Sequence, residues 1–342
     1  LCVGISVLTG SILLDAMHIS RLIKNFDSQI PVVWGGWHVT QAPESVLSEP
    51  CIDYILRGEG ELSFASFLNN LENGNPVQDI PGIGYKHENS FFMVPPEYVD
   101  LNDLPPLPFH LVHNIQDYSI YNWVPGGKKC YTLESSRGCP YACSFCEVSS
   151  YFGKRYSFKS PNRMLQEVRE LCSHYDAGGI HFWDPNFFLR VQRAREFAHL
   201  LIDCNLDVKW AASGTIMDFR RISISDLQLF YKSGLRQVSF GIESHDYHIR
   251  KNILNKSFSN EDILNVLNKF EHVGIDFKSN IIVGLPGVDF EQSLQTIDFA
   301  VNMVATHNHA AIADRIHIYI PFPSTPLCQT AMQHGFQLPQ SL

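Results

Sequence analysis

Positive charge is scarce in this 342-residue chain: 26 Lys and Arg stand against 35 Asp and Glu, a formal net charge of −9. A protein that holds nucleic acid through general charge needs the opposite balance, so a nucleic-acid partner is not expected, although a local basic groove is compatible with the total. No long apolar run is free of interruption. Residues 1–20 come nearest, but Asp15 and His18 break the run, Gly10 punctuates it and no basic segment precedes it. That pattern excludes a signal peptide and a membrane span, and reads as a buried strand, a turn and a helix start. No low-complexity segment or clear sequence repeat occurs. The nine cysteines are odd in number, so they cannot all pair internally. Their uneven spacing points to metal or redox chemistry in a reducing, cytoplasmic setting rather than to a disulfide framework.

What is present is a globular composition, 45% hydrophobic and 18% charged, in a length that accommodates about two domains of about 150 residues. The chain opens at Leu1, and its first residues already read like the middle of a fold, so a longer parent protein is expected. Apolar, β-branched runs at 3–8, 30–34 and 54–56 alternate with helical patterns, the order of an open parallel sheet. Only about three such strands are present. Residues 80–94 read as a hairpin turning at His87-Glu88-Asn89, and Pro95, Pro96, Pro105, Pro106 and Pro108 form the best linker. From 131 onward, strand-like runs at about 131–135, 179–183, 208–212, 236–242, 276–283 and 315–320 are each followed by an amphipathic stretch, at about 161–174, 190–203, 223–232, 260–272, 290–303 and 326–334. Six βα units predict a parallel barrel or part of one, with its chemistry at the C-terminal ends of the strands. The expected division is therefore 1–79, a partial Rossmann-like domain; 80–129, hairpin and linker; and 130–342, a (βα)6 partial TIM barrel.

The unusual residues fall at those strand ends. Cys139, Cys143 and Cys146 follow the first barrel strand with spacing C-x3-C-x2-C. Three thiolates on one loop are soft ligands for an iron–sulfur cluster or zinc. A four-iron cubane held by three cysteines keeps one iron open to a substrate or cofactor. Structural zinc, with Cys130 or a histidine as fourth ligand, is the competing assignment, but closed zinc sites usually pair two knuckles and no second C-x2-C exists. Cys2, Cys51, Cys172, Cys204 and Cys328 lie singly on apolar patterns and fit core packing.

A C-x3-C-x-aromatic-C loop ending the first strand of a six-unit βα barrel resembles the radical S-adenosylmethionine (SAM) superfamily, over about residues 130–335. The resemblance implies a [4Fe–4S] cluster on Cys139, Cys143 and Cys146, with SAM chelated through its amino and carboxylate groups by the open iron. Phe145 would then pack near the adenine, or serve the core. Asp184 would stand near the cofactor's amino end, or act as a turn residue before Pro185. Ser213 would face the carboxylate, or cap a helix. Gly241-Ile242-Glu243-Ser244 is similar to the family's GxES-type segment, whose Glu bonds the ribose; a carboxylate ending an apolar strand needs a partner in any case. The turn Gly284-Leu285-Pro286-Gly287 is similar to the adenine-side turn, and the segment from Tyr319 to Pro326 to the PxPGTP-type turn. The sequence departs from the family at His245 and Asp246, in a 244–256 stretch that is one residue longer, and at Ser324, where a glycine is common.

Upstream, Ser6-Val7-Leu8, 26 residues and Gly35-Gly36 resemble the later part of the cobalamin-binding signature. Ser6 and Leu8 would line the ligand channel at a strand end, and two glycines let the backbone approach a bulky ligand. The stretches around Trp34–His38 and Arg57–Glu61 also look like segments of cobalamin-linked radical enzymes. His38 fits a loop or helix start better than a cobalt ligand, and Glu59 and Glu61 fit helix-start electrostatics.

The resemblance as a whole implies cleavage of SAM to a 5′-deoxyadenosyl radical, hydrogen removal from an unactivated carbon and methyl transfer from methylcobalamin. A flavodoxin- or ferredoxin-type donor would supply electrons, and a small molecule or peptide would be the substrate. Two alternatives stand beside it: a cobalamin-linked cyclase or rearrangement enzyme without methyl transfer, and a non-catalytic zinc or cobalamin binding module.

Overall fold

The computed structural model describes residues 1–88, 90–311 and 316–339. Asn89, expected in the hairpin turn, Arg315, expected to open the last strand, and 340–342, at the end of the expected barrel domain, lie outside the described residues. The chain divides into two compact units. The first holds Leu1–Asp100, Phe145–Gly153 and the segment from Pro321; the second holds Leu101–Ser144 and Lys154–Ile320. Among the described residues no helix is long and apolar enough to cross a membrane.

In the first unit, β1 (Val3–Ser6), β2 (Val32–Gly35) and β3 (Tyr54–Leu56) pair in parallel. Their connections are α1 (Ile12–Phe26) and then α2 (Trp37–Gln41) with α3 (Pro43–Leu47); α4 (Gly60–Asn73) follows β3. The alternating apolar positions of β2 explain why it sits at the centre of the parallel set. Val32 and Trp34 bury into one cluster with Val7, Ala16 and Ile55, and Val33 buries into another with Leu56 and Phe67. A strand buried on both faces is the signature of a covered parallel sheet. The hairpin expected over 80–94 forms as β4 (Ile83–His87) and β5 (Ser90–Met93), and it extends this sheet through antiparallel pairing of β4 with β3. The helix α5 (Glu147–Phe152) also packs in this unit, where Tyr151 stacks on Trp37 at 4.3 Å between ring centroids.

The second unit is built on an eight-stranded sheet. Its parallel strands run β7 (Lys129–Leu133), β10 (Gly179–Phe182), β11 (Lys209–Ser213), β12 (Leu235–Glu243) and β13 (Asp276–Val283). The sixth position is shared. β14 (Ala310–Ala311) pairs the start of β13 and β15 (Ile316–Ile318) pairs its end. The short β6 (Ile120–Tyr121) adds antiparallel to β7. The helices α6 (Pro161–Tyr175), α7 (Val191–Asp203), α9 (Ile224–Lys232), α10 (Asn260–Val273) and α11 (Phe290–Thr306) fall where the periodicity places them. The last helix, α12 (Pro326–Gln333), forms as expected but belongs by its contacts to the first unit. The spacing does not announce α8 (Ile216–Arg221) or the small hairpin of β8 (Ser136–Gly138) with β9 (Tyr156–Phe158).

Strand alternation sorts this sheet into two faces. Ile180, Phe182, Trp210, Val238, Phe240, Phe277 and Ile281 join one core with the helices. Each fully buried side chain of this kind contributes about 1.5–3 kcal/mol by leaving water. The alternate positions, His181, Ser213, Gln237, Ser239 and Asn280, turn to the opposite, polar face. A curled parallel sheet with a polar inner face is the frame of a partial TIM barrel that holds a ligand rather than a packed lumen.

Candidate active site

The cysteine loop begins one hairpin strand after β7. None of the three cysteines is in a disulfide and each is partly buried, and Cys146 is the residue that precedes the first turn of α5. The loop is pinned along its length. Ser144 donates its backbone N–H to the Leu254 carbonyl at 3.1 Å and its hydroxyl to the Ile253 carbonyl. Asn255 Nδ2 donates to the Ala142 carbonyl at 2.7 Å. Tyr141 donates its hydroxyl to Asp218 Oδ1 at 2.9 Å, while Thr215 and Asn186 donate to Oδ2 at 2.6 and 2.8 Å. Burial and the neighbouring Asp218 push the Tyr141 phenol up to about 12, so it remains a donor. Burial pushes the Cys139 thiol up to about 11 and raises Cys143 as well. Both are therefore neutral until a metal displaces the proton.

Asp184 follows β10 and is fully enclosed. Its Oδ1 accepts the Ser135 N–H at 2.7 Å, and its Oδ2 accepts the Ser135 and Ser136 hydroxyls at 2.6 and 2.7 Å. The Arg193 guanidinium lies 3.5 Å away and also donates to the Ser135 carbonyl. These bonds tie the entry of the cysteine loop to the second strand. Asp184→Ala leaves a buried guanidinium without its counter-charge and two buried hydroxyls without their acceptor. The expected loss is about 3–5 kcal/mol of stability, read as a lower denaturant midpoint at unchanged slope.

Ser213 is the last residue of β11, beside Ser239 of β12. The helix cap considered for it is supplied instead by Thr215, which accepts from the Asp218 N–H. Glu243 ends β12 beyond a register shift, with φ +67, a conformation that costs a non-glycine residue about 1–3 kcal/mol. The partner its burial requires is Lys256, whose Nζ donates to Glu243 Oε1 at 2.8 Å and to the Gly241 carbonyl at 2.9 Å. A methyl group on Gly241 would overlap the Glu243 carboxylate and meet Lys256 Nζ at 2.8 Å, which accounts for glycine two residues before the glutamate. Gly284 follows β13 with φ +72, the left-handed turn that favours glycine. Within the 244–256 stretch, Ile249–Ile253 form a single π-helical turn. Arg250 within it is buried and donates to the Ser244, His245 and Phe258 carbonyls. Phe145 lies between Ser144 and Cys146, is half-buried, and belongs to the first unit by its contacts.

In the first unit, the two halves of the upstream signature meet. Ser6 pairs with Gly35 in register at the C-terminal ends of β1 and β2, and Val7 donates its N–H to the Gly35 carbonyl at 2.9 Å. Leu8 stands 55% exposed just past the strand. Gly36 has φ +98, and a Cβ there would lie 2.8–3.0 Å from the Val7 backbone and Ser6 Oγ. His38 is the second residue of α2 and is buried. Its Nδ1 is 3.0 Å from Thr9 Oγ1, and burial lowers its pKa, so the imidazole is neutral. Glu59 precedes α4 and accepts the Val99 N–H at 2.9 Å, tying the proline-rich segment to this unit.

Sequence reasoning missed Lys256, Arg193 and the Tyr141–Asp218 bond. Tyr141 lies inside the motif and signalled only a loop. Lys256 and Arg193 act across about 13 to 58 residues of chain, beyond any local pattern.

A parallel half-barrel with a three-thiol loop after its first strand, preceded by a parallel sheet with a glycine-cleared edge, defines a class: α/β enzymes that combine an iron–sulfur barrel with a second cofactor domain. Known proteins agree. Residues 133–300 match the radical SAM superfamily and residues 1–68 the B12 binding domain. The chain is 30% identical over 338 residues, 98% of its own length and 70% of the relative's, to an uncharacterized methyltransferase of Pyrococcus horikoshii. It is 26% identical over 333 residues, 96% of its length and 58% of the relative's, to the anaerobic magnesium-protoporphyrin IX monomethyl ester cyclase of Rubrivivax gelatinosus. The solved radical SAM methyltransferase TsrM from Kitasatospora setae matches in fold, with a TM-score of 0.77 at 17% identity, covering 95% of this chain and 64% of that one. The chain thus spans about three fifths to two thirds of most of these relatives.

This chain belongs to the radical SAM superfamily, in the branch that carries a B12 binding domain. The family's cofactors are a [4Fe–4S] cluster, SAM and cobalamin. The residues present fit them. Three cysteines within eight residues, none in a disulfide, would supply soft thiolate ligands to such a cluster. One loop carries all three thiols and the chain has no second C-x2-C, a donor set that would suit an iron–sulfur cluster. Ser6, Gly35 and Gly36 lie together at the ends of β1 and β2, where two residues without side chains would let a bulky second ligand approach the backbone.

Proposed function

We propose that this chain carries the catalytic core of a cobalamin-dependent radical SAM methyltransferase acting on an unactivated carbon of a small molecule or peptide. The observation that carries this reading is the pinned three-cysteine loop after the first barrel strand, in a chain that also presents the cobalamin-type edge. The division of labour is 1–79 for cobalamin, 80–129 as hairpin and linker, and 130–342 for the cluster and SAM. Cys139, Cys143 and Cys146 would hold three irons of the cluster, and the fourth would be left for SAM. The bound cofactors supply reductive carbon–sulfur cleavage and the transferable methyl group.

The chain's residues bind, orient and exclude water. Glu243, held by Lys256, would accept from the ribose hydroxyls. Ser213, on the polar inner face, donates to the cofactor carboxylate. Gly284 would give the backbone close approach on the adenine side; the resemblance offers Phe145 as an apolar contact of the adenine. Asp184 acts at one remove, since its oxygens are engaged by Ser135, Ser136 and Arg193. Ser6, Leu8, Gly35 and Gly36 line the cobalamin side. The electron donor is a flavodoxin or ferredoxin, and the compartment is the reducing cytoplasm, which suits a chain with no disulfide among its nine cysteines. The relative named as a cyclase supports a second reading, radical chemistry without methyl transfer.

Product analysis separates the two. Anaerobic turnover with SAM, cobalamin and reductant is expected to give S-adenosylhomocysteine together with 5′-deoxyadenosine. 5′-Deoxyadenosine alone would support the second reading, and uncleaved SAM would count against both.

A further inference from the structure

The buried pair of Lys256 and Glu243 is more than the support of one ribose contact. Both side chains are 6% exposed, and their charges meet at 2.8 Å. The residues just before Lys256 are the ones that grip the cysteine loop: Ile253 and Leu254 accept from Ser144, and Asn255 donates to Ala142. The π-helical turn at Ile249–Ile253 feeds directly into this grip, and Lys256 in turn donates its own N–H to the Arg250 carbonyl at 2.8 Å. One short segment therefore fixes the backbone of the loop between Cys139 and Cys146 and places a buried cation beside it.

We propose that Lys256 is a positioning residue whose role is electrostatic. Paired with Glu243, it sets the charge felt by the cluster ligands and so tunes the cluster's reduction potential. The inference rests on the reading that Cys139, Cys143 and Cys146 hold the cluster. The local physics supports it. Lys256 directly follows Leu254 and Asn255, which bond Ser144 and Ala142 on either side of Cys143, so the buried ion pair and the ligand loop are held by one segment. Opposite charges buried beside a ligand loop act with opposite sign on the metal group the loop binds. A cation near the sulfurs stabilises the more negative, reduced cluster, and an anion destabilises it; low-dielectric surroundings make both effects stronger.

The test is a redox titration of the cluster in the reconstituted full chain without SAM, followed by electron paramagnetic resonance. Lys256→Met leaves the carboxylate unopposed, and the potential is expected to fall. Glu243→Gln leaves the ammonium unopposed, and the potential is expected to rise. A tenfold change in the reduction equilibrium, about 59 mV for one electron, is the expected scale. The double variant should lie between the singles, and Lys256→Arg should stay near wild type. A merely structural role would not give opposite signs. Singles that shift in the same direction, or an unshifted pair with full iron content, would overturn the inference. If Lys256→Met fails to take up iron, Lys256→Arg and Glu243→Gln still decide it, because the proposal requires a near-zero shift in the first and a rise in the second. A wild-type chain that takes up no cluster would instead overturn the functional reading beneath.

Discussion

Cys143→Ala is expected to abolish cluster assembly and with it all detectable SAM cleavage, while the fold survives. Cys143 sits in the middle of the loop, between the bonds that Tyr141 and Ala142 make on one side and Ser144 on the other. None of those bonds uses the thiol, so removing the sulfur leaves the anchoring intact. The effect should therefore appear in iron content and in the cluster's visible absorption, not in the unfolding curve. Cys130→Ala is the control. Its thiol is buried in the second unit, where it accepts from the Val124 N–H at 3.3 Å. Its loss creates a small cavity and costs some stability, but iron uptake should be normal. That contrast excludes a zinc site with Cys130 as fourth ligand. Loss of metal in Cys130→Ala equal to that in Cys143→Ala would restore it.

Gly35→Ala and Gly36→Ala are expected to fail in different ways, although the two residues are adjacent. A Cβ at Gly35 meets only the Leu56 carbonyl, at an ordinary 3.6 Å. That variant should keep wild-type stability and lose cobalamin affinity, because the methyl group fills the edge the ligand must approach. Gly36 is in the left-handed region, and its Cβ would press on Val7 and Ser6. It should lose about 1–3 kcal/mol of stability from strain, together with cobalamin. Equilibrium dialysis of cobalamin, beside thermal unfolding of the cofactor-free protein, separates the two. Unchanged cobalamin affinity in Gly35→Ala would remove that edge from the site.

Much of this is legible in the residues. The βα rhythm after 131 specifies the parallel strands because each buries alternate apolar residues against an amphipathic helix, a signal carried within about 10 to 15 residues. The cysteine loop is legible because its ligands lie close together in the chain. The Ser6 and Gly35 elements are legible as a spacing, and the structure explains the spacing: the intervening residues are one strand–helix–strand crossover, which returns Gly35 beside Ser6. What is not legible acts across the fold. Asp184 is a strong polar residue at a strand end, but only the folded chain shows its oxygens engaged by Ser135, Ser136 and Arg193. The partner required by Glu243 can be anticipated, but its identity cannot, because Lys256 returns to it only after an extended loop and a π turn. The hairpin at 80–94 reads as part of a linker because the prolines after it are the stronger punctuation. Its antiparallel pairing with β3 draws it into the first sheet.

The central claim is that three cysteines leave one iron of the cluster open for SAM. The direct measurement is hyperfine spectroscopy of the reduced cluster in the presence of SAM carrying a heavy-nitrogen label in its amino group. The account predicts a coupling from that nitrogen in the wild-type protein, and a change in the cluster's resonance on adding SAM. A cluster that forms with full iron content, yet shows the same resonance with and without SAM and no nitrogen coupling, would contradict it.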